Sequence, residues 1–510
     1  MRTGLATALC LATIAGPDPA RAEEDFTVKY APIHFGGVHE FGMIHQGLLS
    51  QPIATFDNEW MDHFGTSFTA EAMVDDALEL EVGLGGVFQF GKPEKSQEEY
   101  GGSQYKMFFL GPSRAKARYH FGGMDRKSGP AFTLGGGMFT YKYNPDAANL
   151  GEYLFRSGPY PTFIYTGGLT DINDNAAYLQ GLHGSFKWGG FNMDLLLTTE
   201  TNLPPLYDFS LGAVANYVIA DGLLEIGAGI DFKRLLQVAH ARTVPESLEN
   251  AYFSRGGKTY VGYSPYYKSR ADVLDRFASA DTAAHHSLTA SAEEEFRLRD
   301  SLLAIVDSLD PGNHAWVDAG GKVAGSQYFT PAGTLLMGRI SMDLKKLFPS
   351  AGMSPSDCRL YAEAAVLGVK DYPIYYEKAF QRMPIMAGIN LPTFGALDLL
   401  AVQLEYFNSP NLNNTFVLGD KNFPIPFQPE GGESLYSQRS YNDLAEKDNY
   451  AWSILLRKTL FGGLTLSGQA ARDHLRTVNG DLFYASRQEG NEILYKDSSW
   501  YWMFQMAWSN

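Results

Sequence analysis

The sequence predicts an all-β fold, a transmembrane antiparallel up-and-down β-barrel of about 16 strands (about 14–18), from three observations. Hydrophobicity alternates with a period of two along most of the chain, which is how a strand with one apolar and one polar face reads. Many alternating runs are about ten residues long, the length a tilted strand needs to cross a bilayer. Their connections include both tight turns and very long insertions, as short turns at one end of a barrel and long loops at the other would require.

Residues 64–73 place Phe64, Thr66, Phe68, Ala70 and Ala72 on one face and Gly65, Ser67, Thr69 and Glu71 on the other. After the Asp75-Asp76 turn, Leu78, Leu80, Val82 and Leu84 alternate with Glu79, Glu81 and Gly83. The period returns at 114–122, where Ala115, Ala117, Tyr119 and Phe121 oppose Lys116, Arg118 and His120. It returns again at 223–233, 359–366 and 400–406, and the C-terminus sets Trp502, Phe504, Met506 and Trp508 on one side. Candidate strands are 64–73, 78–90, 114–122, 130–142, 161–169, 177–188, 191–200 and 208–219. The series continues with 222–233, 333–344, 358–369, 382–391, 396–407, 450–459, 463–474 and 499–508. Gly189-Gly190, Asp221-Gly222 and Gly462-Gly463 supply tight turns.

Composition excludes the competing classes. With 19% charged and 14% aromatic residues the chain is too poor in charge and too aromatic for disorder. Its mean hydropathy of −0.20 and the lack of a long apolar run exclude a helical membrane protein. The 53 glycines follow no three-residue period, which excludes collagen.

Residues 1–22 read as a cleavable signal peptide: Arg2, an apolar stretch from Leu5 to Ala15, then Ala20-Arg21-Ala22 before Glu23. Removing them takes away Cys10, so Cys358 remains alone and no intrachain disulfide forms. The formal charge of −16 becomes −17 without Arg2, Arg21 and Asp18. A net negative chain is a poor partner for nucleic acid, whose affinity rests on Lys and Arg meeting phosphates.

On these features the chain resembles a Gram-negative outer-membrane β-barrel of the porin type. The resemblance is architectural, spans most of residues 64–508 and singles out no subfamily. It departs from the usual pattern at the last residue, Asn510, where the nearest aromatic is Trp508. It implies an outer-membrane location, lipid around the barrel and solutes within; self-association into a homo-oligomer is compatible with such a barrel.

The organisation expected is a signal peptide at 1–22, an N-terminal segment at 23–63 forming a first strand or a small hatch, and a barrel at 64–510. Long extracellular insertions are expected at 234–332 and 408–449. Within the first, Ser291 to Glu294 is a capping box and Pro311-Gly312 a stop, which predicts a helix over 291–310. That helix either constricts the pore mouth or packs outside. Counting back from a periplasmic C-terminus puts 91–113 and 143–160 at the short-turn end, so a further strand is expected near 105–111 or 151–157.

Motifs of chemistry fail. His39-Glu40 lacks the second His of a zinc-protease helix, having Met43 in its place. The Asp171–Asn175 stretch lacks the glycine and the Glu of a calcium loop. Gly83 and Gly85 are followed by Phe88 where a dinucleotide fingerprint needs glycine. No metal or cofactor site and no enzyme activity is expected.

If the apolar sides face lipid, the opposite sides line a lumen: Lys116, Arg118, His120, Lys187, Arg339, Arg359 and Arg457 as cations, Glu363 and Glu405 among the anions. Charges in hydrocarbon cost about 2–4 kcal/mol at mid-depth, so these positions suit water. The function expected is passive diffusion of small hydrophilic solutes through a charged, water-filled pore. The alternatives are an adhesin or structural surface barrel, and a hydrophobic-solute channel with an N-terminal hatch.

Overall fold

The computed structural model describes residues 33–50, 60–90, 108–122, 129–156, 164, 176–199, 209–236, 252–255, 258–261, 316–317, 323–324, 333–348, 352–369, 379–408, 450–474 and 499–509. The first strands are β1 (Ile33–Gln46), β2 (Met61–Val74), β3 (Leu78–Phe90), β4 (Phe108–Phe121) and β5 (Ala131–Tyr141). A one-turn helix, α1 (Tyr153–Arg156), precedes β6 (Ala177–Trp188), β7 (Phe191–Thr199), β8 (Phe209–Ile219) and β9 (Leu224–Leu236). Four short strands, β10 (Tyr252–Arg255), β11 (Lys258–Val261), β12 (Trp316–Val317) and β13 (Val323–Ala324), make a separate small sheet. The wall resumes with β14 (Gly333–Asp343), β15 (Arg359–Val366), β16 (Ile385–Asn390) and β17 (Leu399–Tyr406). It ends with β18 (Tyr450–Thr459), β19 (Leu464–Arg472) and β20 (Tyr501–Ser509).

Each wall strand pairs antiparallel with the next, and β20 closes on β1 with Val38 opposite Ser509 and Gln46 opposite Tyr501. The result is one closed barrel of sixteen strands, with no free edge in the wall. The alternation foretold from the sequence sorts the two faces: Val82, Leu84, Leu182, Leu195 and Leu404 lie exposed outside, while Glu81, Asp194, Asp231, Glu363 and Glu405 are buried inside.

One expectation changes, and the N-terminal segment takes the first of its two expected forms. The range 161–169 contributes no wall strand, because β5 pairs directly with β6 from Ala131 opposite Lys187 to Tyr141 opposite Ala177. In its place Ile33–Gln46 stands in the wall as the first strand. The number sixteen therefore survives through one loss and one gain. Dropping 161–169 also reverses the parity of everything before it, so the β3–β4 and β5–β6 connections belong to the long-loop end and the count no longer calls for a further strand there. The proposed strand at 105–111 is the start of β4, and 151–157 holds α1 instead. The expected helix over 291–310 and the peptide 1–22 lie outside the described residues.

The short-turn end is built from local chemistry. Asp75 and Asp76 both take left-handed φ values (51° and 54°), as do Ala220 and Asp221; Asp tolerates this region better than most residues. Asp398, in the turn before β17, accepts from the Thr459 amide at 2.6 Å and from Lys458 Nζ at 3.3 Å. The amide hydrogen bond from Thr459 holds its carboxyl below the usual range. A carboxylate so depressed contributes stability above its unfolded pKa and loses it as pH falls through the folded value. Asp398→Asn should therefore lower the thermal midpoint slightly at neutral pH, the group being exposed, and the gap should close in acid; a gap independent of pH contradicts this.

Candidate functional site: a lumen partitioned by an inward-folded segment

Residues 142–156, which follow β5, fold into the barrel instead of outward. Nearly all of the stretch from Tyr143 to Arg156 is buried. Its local shape is set by Asn144-Pro145-Asp146, a turn-forming triplet, with the Ala147 amide bonded to the Asn144 carbonyl. Glu152 braces the loop from within: Oε1 accepts from the Asn144 amide at 3.0 Å and Oε2 lies 3.1 Å from Arg156 Nη2. The Tyr143 hydroxyl, 3.0 Å from the Leu154 amide, ties the loop to the helix α1.

Strands across the lumen hold this segment with interior-facing acceptors. Glu363 on β15 accepts from Tyr143 Oη at 2.6 Å, Asn144 Nδ2 at 2.7 Å and the Tyr153 amide at 2.9 Å. Gln403 Oε1 on β17 takes the amides of Asn149 and Leu150 at 2.8 and 3.0 Å. Glu405 takes Tyr153 Oη at 2.6 Å and lies 2.5 Å from His474 Nε2. Asp473, just past β19, takes Asn149 Nδ2 at 2.6 Å and Tyr501 Oη at 2.7 Å. From the segment's side, Asp146 accepts from Ser341 Oγ at 2.6 Å and from Arg359 Nη1 at 2.7 Å. Burial, reinforced by the neighbouring carboxylates, pushes the phenols of Tyr143 and Tyr153 well above their usual range. Both stay protonated donors at any working pH.

Behind these contacts lies an apolar core inside the barrel. Leu150, Tyr153, Leu154 and Phe155 pack with Leu196, Val214, Met337 and Met386 in one apolar cluster inside the barrel. The opposite wall carries a charged ladder. Lys116 Nζ lies 3.1 Å from Glu79 and 2.5 Å from Glu81, Arg118 lies 3.4 Å from Glu79, and Arg114 lies 3.0 Å from Glu81. His120 Nε2 lies 3.3 Å from Glu79 and its Nδ1 3.2 Å from Thr133 Oγ1.

The sequence-predicted residues therefore fall into groups. Lys116, Arg118 and His120 share the β3–β4 ladder. Glu363, Glu405 and Arg359 hold the inward segment. Arg339 is buried between Asn216, 2.9 Å away, and Glu225. Lys187 stands exposed on the interior-facing side of β6 at the short-turn end, and Arg457 lines a cavity below the segment. Sequence reading missed Arg114, although the period of two that runs through Lys116, Arg118 and His120 puts it on the same inward face; a bulge follows on the other side of it, where Gly83 pairs with Arg114 but Leu84 with Pro112, leaving Ser113 extra. It also missed Asp146, Asn149, Glu152, Tyr143 and Tyr153, since 143–160 was placed at the wrong end.

A cavity of about 730 Å³ opens between the underside of the segment (Lys142, Asp146, Asn149) and the interior faces of β1 and β15–β20. A wall of sixteen strands leaves room for an aqueous channel, and here a folded-in segment narrows it. The architecture is porin-type.

No family model matches the chain, and no curated protein matches it. Among solved structures it is similar to the Rh. blastica porin. A variant of that porin with three substitutions superposes with a TM-score of 0.41 at 9% identity, over 94% of this chain and 100% of the porin. A variant with two substitutions gives 0.40 at 8% identity over the same shares. Likeness at this level adds nothing to the barrel's own geometry, on which the assignment of architecture rests.

Proposed function

We propose that the chain is an outer-membrane diffusion channel for small hydrophilic solutes, its bore set by residues 142–156. The observation that carries this reading is the partition itself: an apolar cluster inside the barrel anchors the inward segment, while a polar cavity bordered by charged side chains stays open beneath it. A barrel that only filled a membrane would have no use for an interior cavity bordered by Lys142, Arg359 and Arg457.

The outer face supports a lipid setting. A band of exposed Leu, Val and Ile is flanked by aromatic clusters near both ends. At the short-turn end Tyr119, Phe121 and Phe132 pack ring against ring in sequence, with centroids 4.9 and 5.0 Å apart. At the long-loop end Phe380, Tyr406 and Tyr450 do the same at 5.7 and 4.9 Å, and Trp60 meets Trp502 at 5.1 Å. Aromatic girdles of this kind sit at the two interfaces of a transmembrane barrel. The residues proposed to line the passage are Lys116, Arg118, His120, Lys187, Arg359 and Arg457. Arg339, Glu363 and Glu405 act one step back, by fixing the segment and the wall around it. Ile33–Gln46, part of the segment that motivated a hatch, is a wall strand, which favours the diffusion channel over that alternative.

Liposome swelling tests the reading. Vesicles holding the protein should swell in small sugars at rates that fall steeply with solute size, and no swelling with the smallest sugar overturns it. The lipid face has its own test. Leu195→Arg, in the middle of β7, should cost about 2–4 kcal/mol in a urea titration in bilayers, and Phe121→Arg, at the short-turn girdle, about 0–1 kcal/mol. Equal costs at the two depths would argue against a spanning barrel.

A further inference from the structure

The cavity under the inward segment has charges of both signs, but they are not equally committed. Asp146 is taken by Arg359 and Ser341 at 2.7 and 2.6 Å. Glu40 is taken by His63 at 3.2 Å and by Gln505 Nε2 at 2.7 Å. Asp398 is taken by Lys458 and the Thr459 amide. Among the described residues, every carboxylate lining the cavity is thus already hydrogen-bonded within the wall or the segment.

The cations divide differently. Arg359 is spent on Asp146, and Lys142 Nζ donates to the Ala147 carbonyl at 2.8 Å. Arg457 lines the cavity with an exposed side chain, for which the described residues offer no hydrogen-bond or ion-pair partner. Its register partners are Leu399 on one side and Ser467 on the other. Thr459 and Thr465 also line the cavity beside it, their hydroxyls 3.2 Å apart, so one of the pair donates to the other and the second keeps its proton for a ligand. Among the described residues no Phe, Tyr or Trp lines this space, which leaves a neutral sugar ring without an aromatic face to stack on.

An uncommitted guanidinium with its planar fork of donors is suited to an oxyanion, which it holds through two parallel hydrogen bonds. The flanking hydroxyls can donate to the oxygens that remain. From this we infer that Arg457, with the Ser467 and Thr465 hydroxyls, forms an anion subsite on the short-turn side of the constriction. The solutes it takes are small carboxylate-bearing molecules. The inference deepens the diffusion-channel reading and rests on it for the route by which the solute arrives. The overall charge of −16 gives no hint of this, because the acids around the cavity are already paired.

The test uses the full-length refolded protein in planar bilayers and in detergent micelles. In potassium acetate, the wild-type conductance should saturate with concentration, as binding in the path requires, and the reversal potential in a salt gradient should favour the anion. Arg457→Gln should give a linear conductance and lower the anion-to-cation permeability ratio several-fold. Arg457→Lys should keep the sign of the selectivity but lose most of the saturation, because an ammonium offers no fork. A heat-modifiable gel shift confirms that each variant folds. Unchanged selectivity and saturation in open Arg457→Gln channels overturn the subsite. Acetate binding by saturation-transfer NMR in micelles reads the subsite without current. Binding abolished by Arg457→Gln in a protein that never conducts would keep the subsite and overturn the channel, whereas binding that survives Arg457→Gln would overturn the subsite.

Discussion

Replacing residues 144–156 with a short Gly-Ser linker should raise single-channel conductance several-fold and abolish the steep size dependence of solute entry. The segment is anchored inside the barrel through the cluster of Leu150, Tyr153, Leu154 and Phe155, and its polar face borders the cavity beneath it. The barrel should survive, since β5 and β6 already pair along their whole length without it. A point variant reaches the same contacts. Glu363→Ala removes the acceptor of three donors, and each buried donor left unmade costs about 1–3 kcal/mol. That should loosen the segment and convert steady current into flicker between a narrow and a wide level. Unchanged conductance in the linker variant would mean that 142–156 does not bound the passage.

The second large effect is expected at Gly137. It sits in β5 at φ +127°, and a Cβ there would lie 2.0 Å from the Ala115 carbonyl oxygen of β4. Neither the backbone angle nor the neighbouring strand can yield without breaking the β4–β5 ladder, where Gly137 pairs with Lys116. Glycine in a strand interior marks such a close backbone approach or a tight bend. Gly137→Val should cost more than about 4 kcal/mol, enough to prevent barrel closure. The heat-modifiable gel shift should then be lost. A folded, heat-modifiable Gly137→Val barrel would contradict the strand geometry at this position.

The period-two pattern made most of the wall legible: every candidate range except 161–169 falls on a barrel strand. The first strand was harder to read because its outward face carries His39 and His45, which break the apolar alternation. In the fold, each histidine is covered by aromatic rings: His39 lies 5.3 Å from Phe68, and His45 lies 4.8 Å from Trp60. The stretch around Phe163 and Ile164 misled for the opposite reason. It is aromatic and β-branched like a strand, yet Ile164 packs into the apolar core inside the barrel.

The site was less legible than the wall. Lys116, Arg118 and His120 were found because strand periodicity alone places them on one face. The hold on the inward segment was not, because it joins residues such as Tyr143 and Glu363, or Asn149 and Asp473, that are brought together only by barrel closure. One signal was present in the sequence: a connection at 143–156 mixing Asn-Pro-Asp with Tyr143, Leu150, Tyr153 and Phe155 is too apolar for a solvated loop. The false strand at 161–169 moved that connection to the short-turn end, where an inward fold had no reason to be considered.

The most direct test of the whole account is the single-channel conductance of the refolded full-length chain in a planar bilayer. A narrowed, water-filled passage predicts stable, stepwise, nearly ohmic currents that grow when residues 144–156 are removed. Silence from a correctly folded and inserted barrel, with the segment present and with it removed, would contradict the channel.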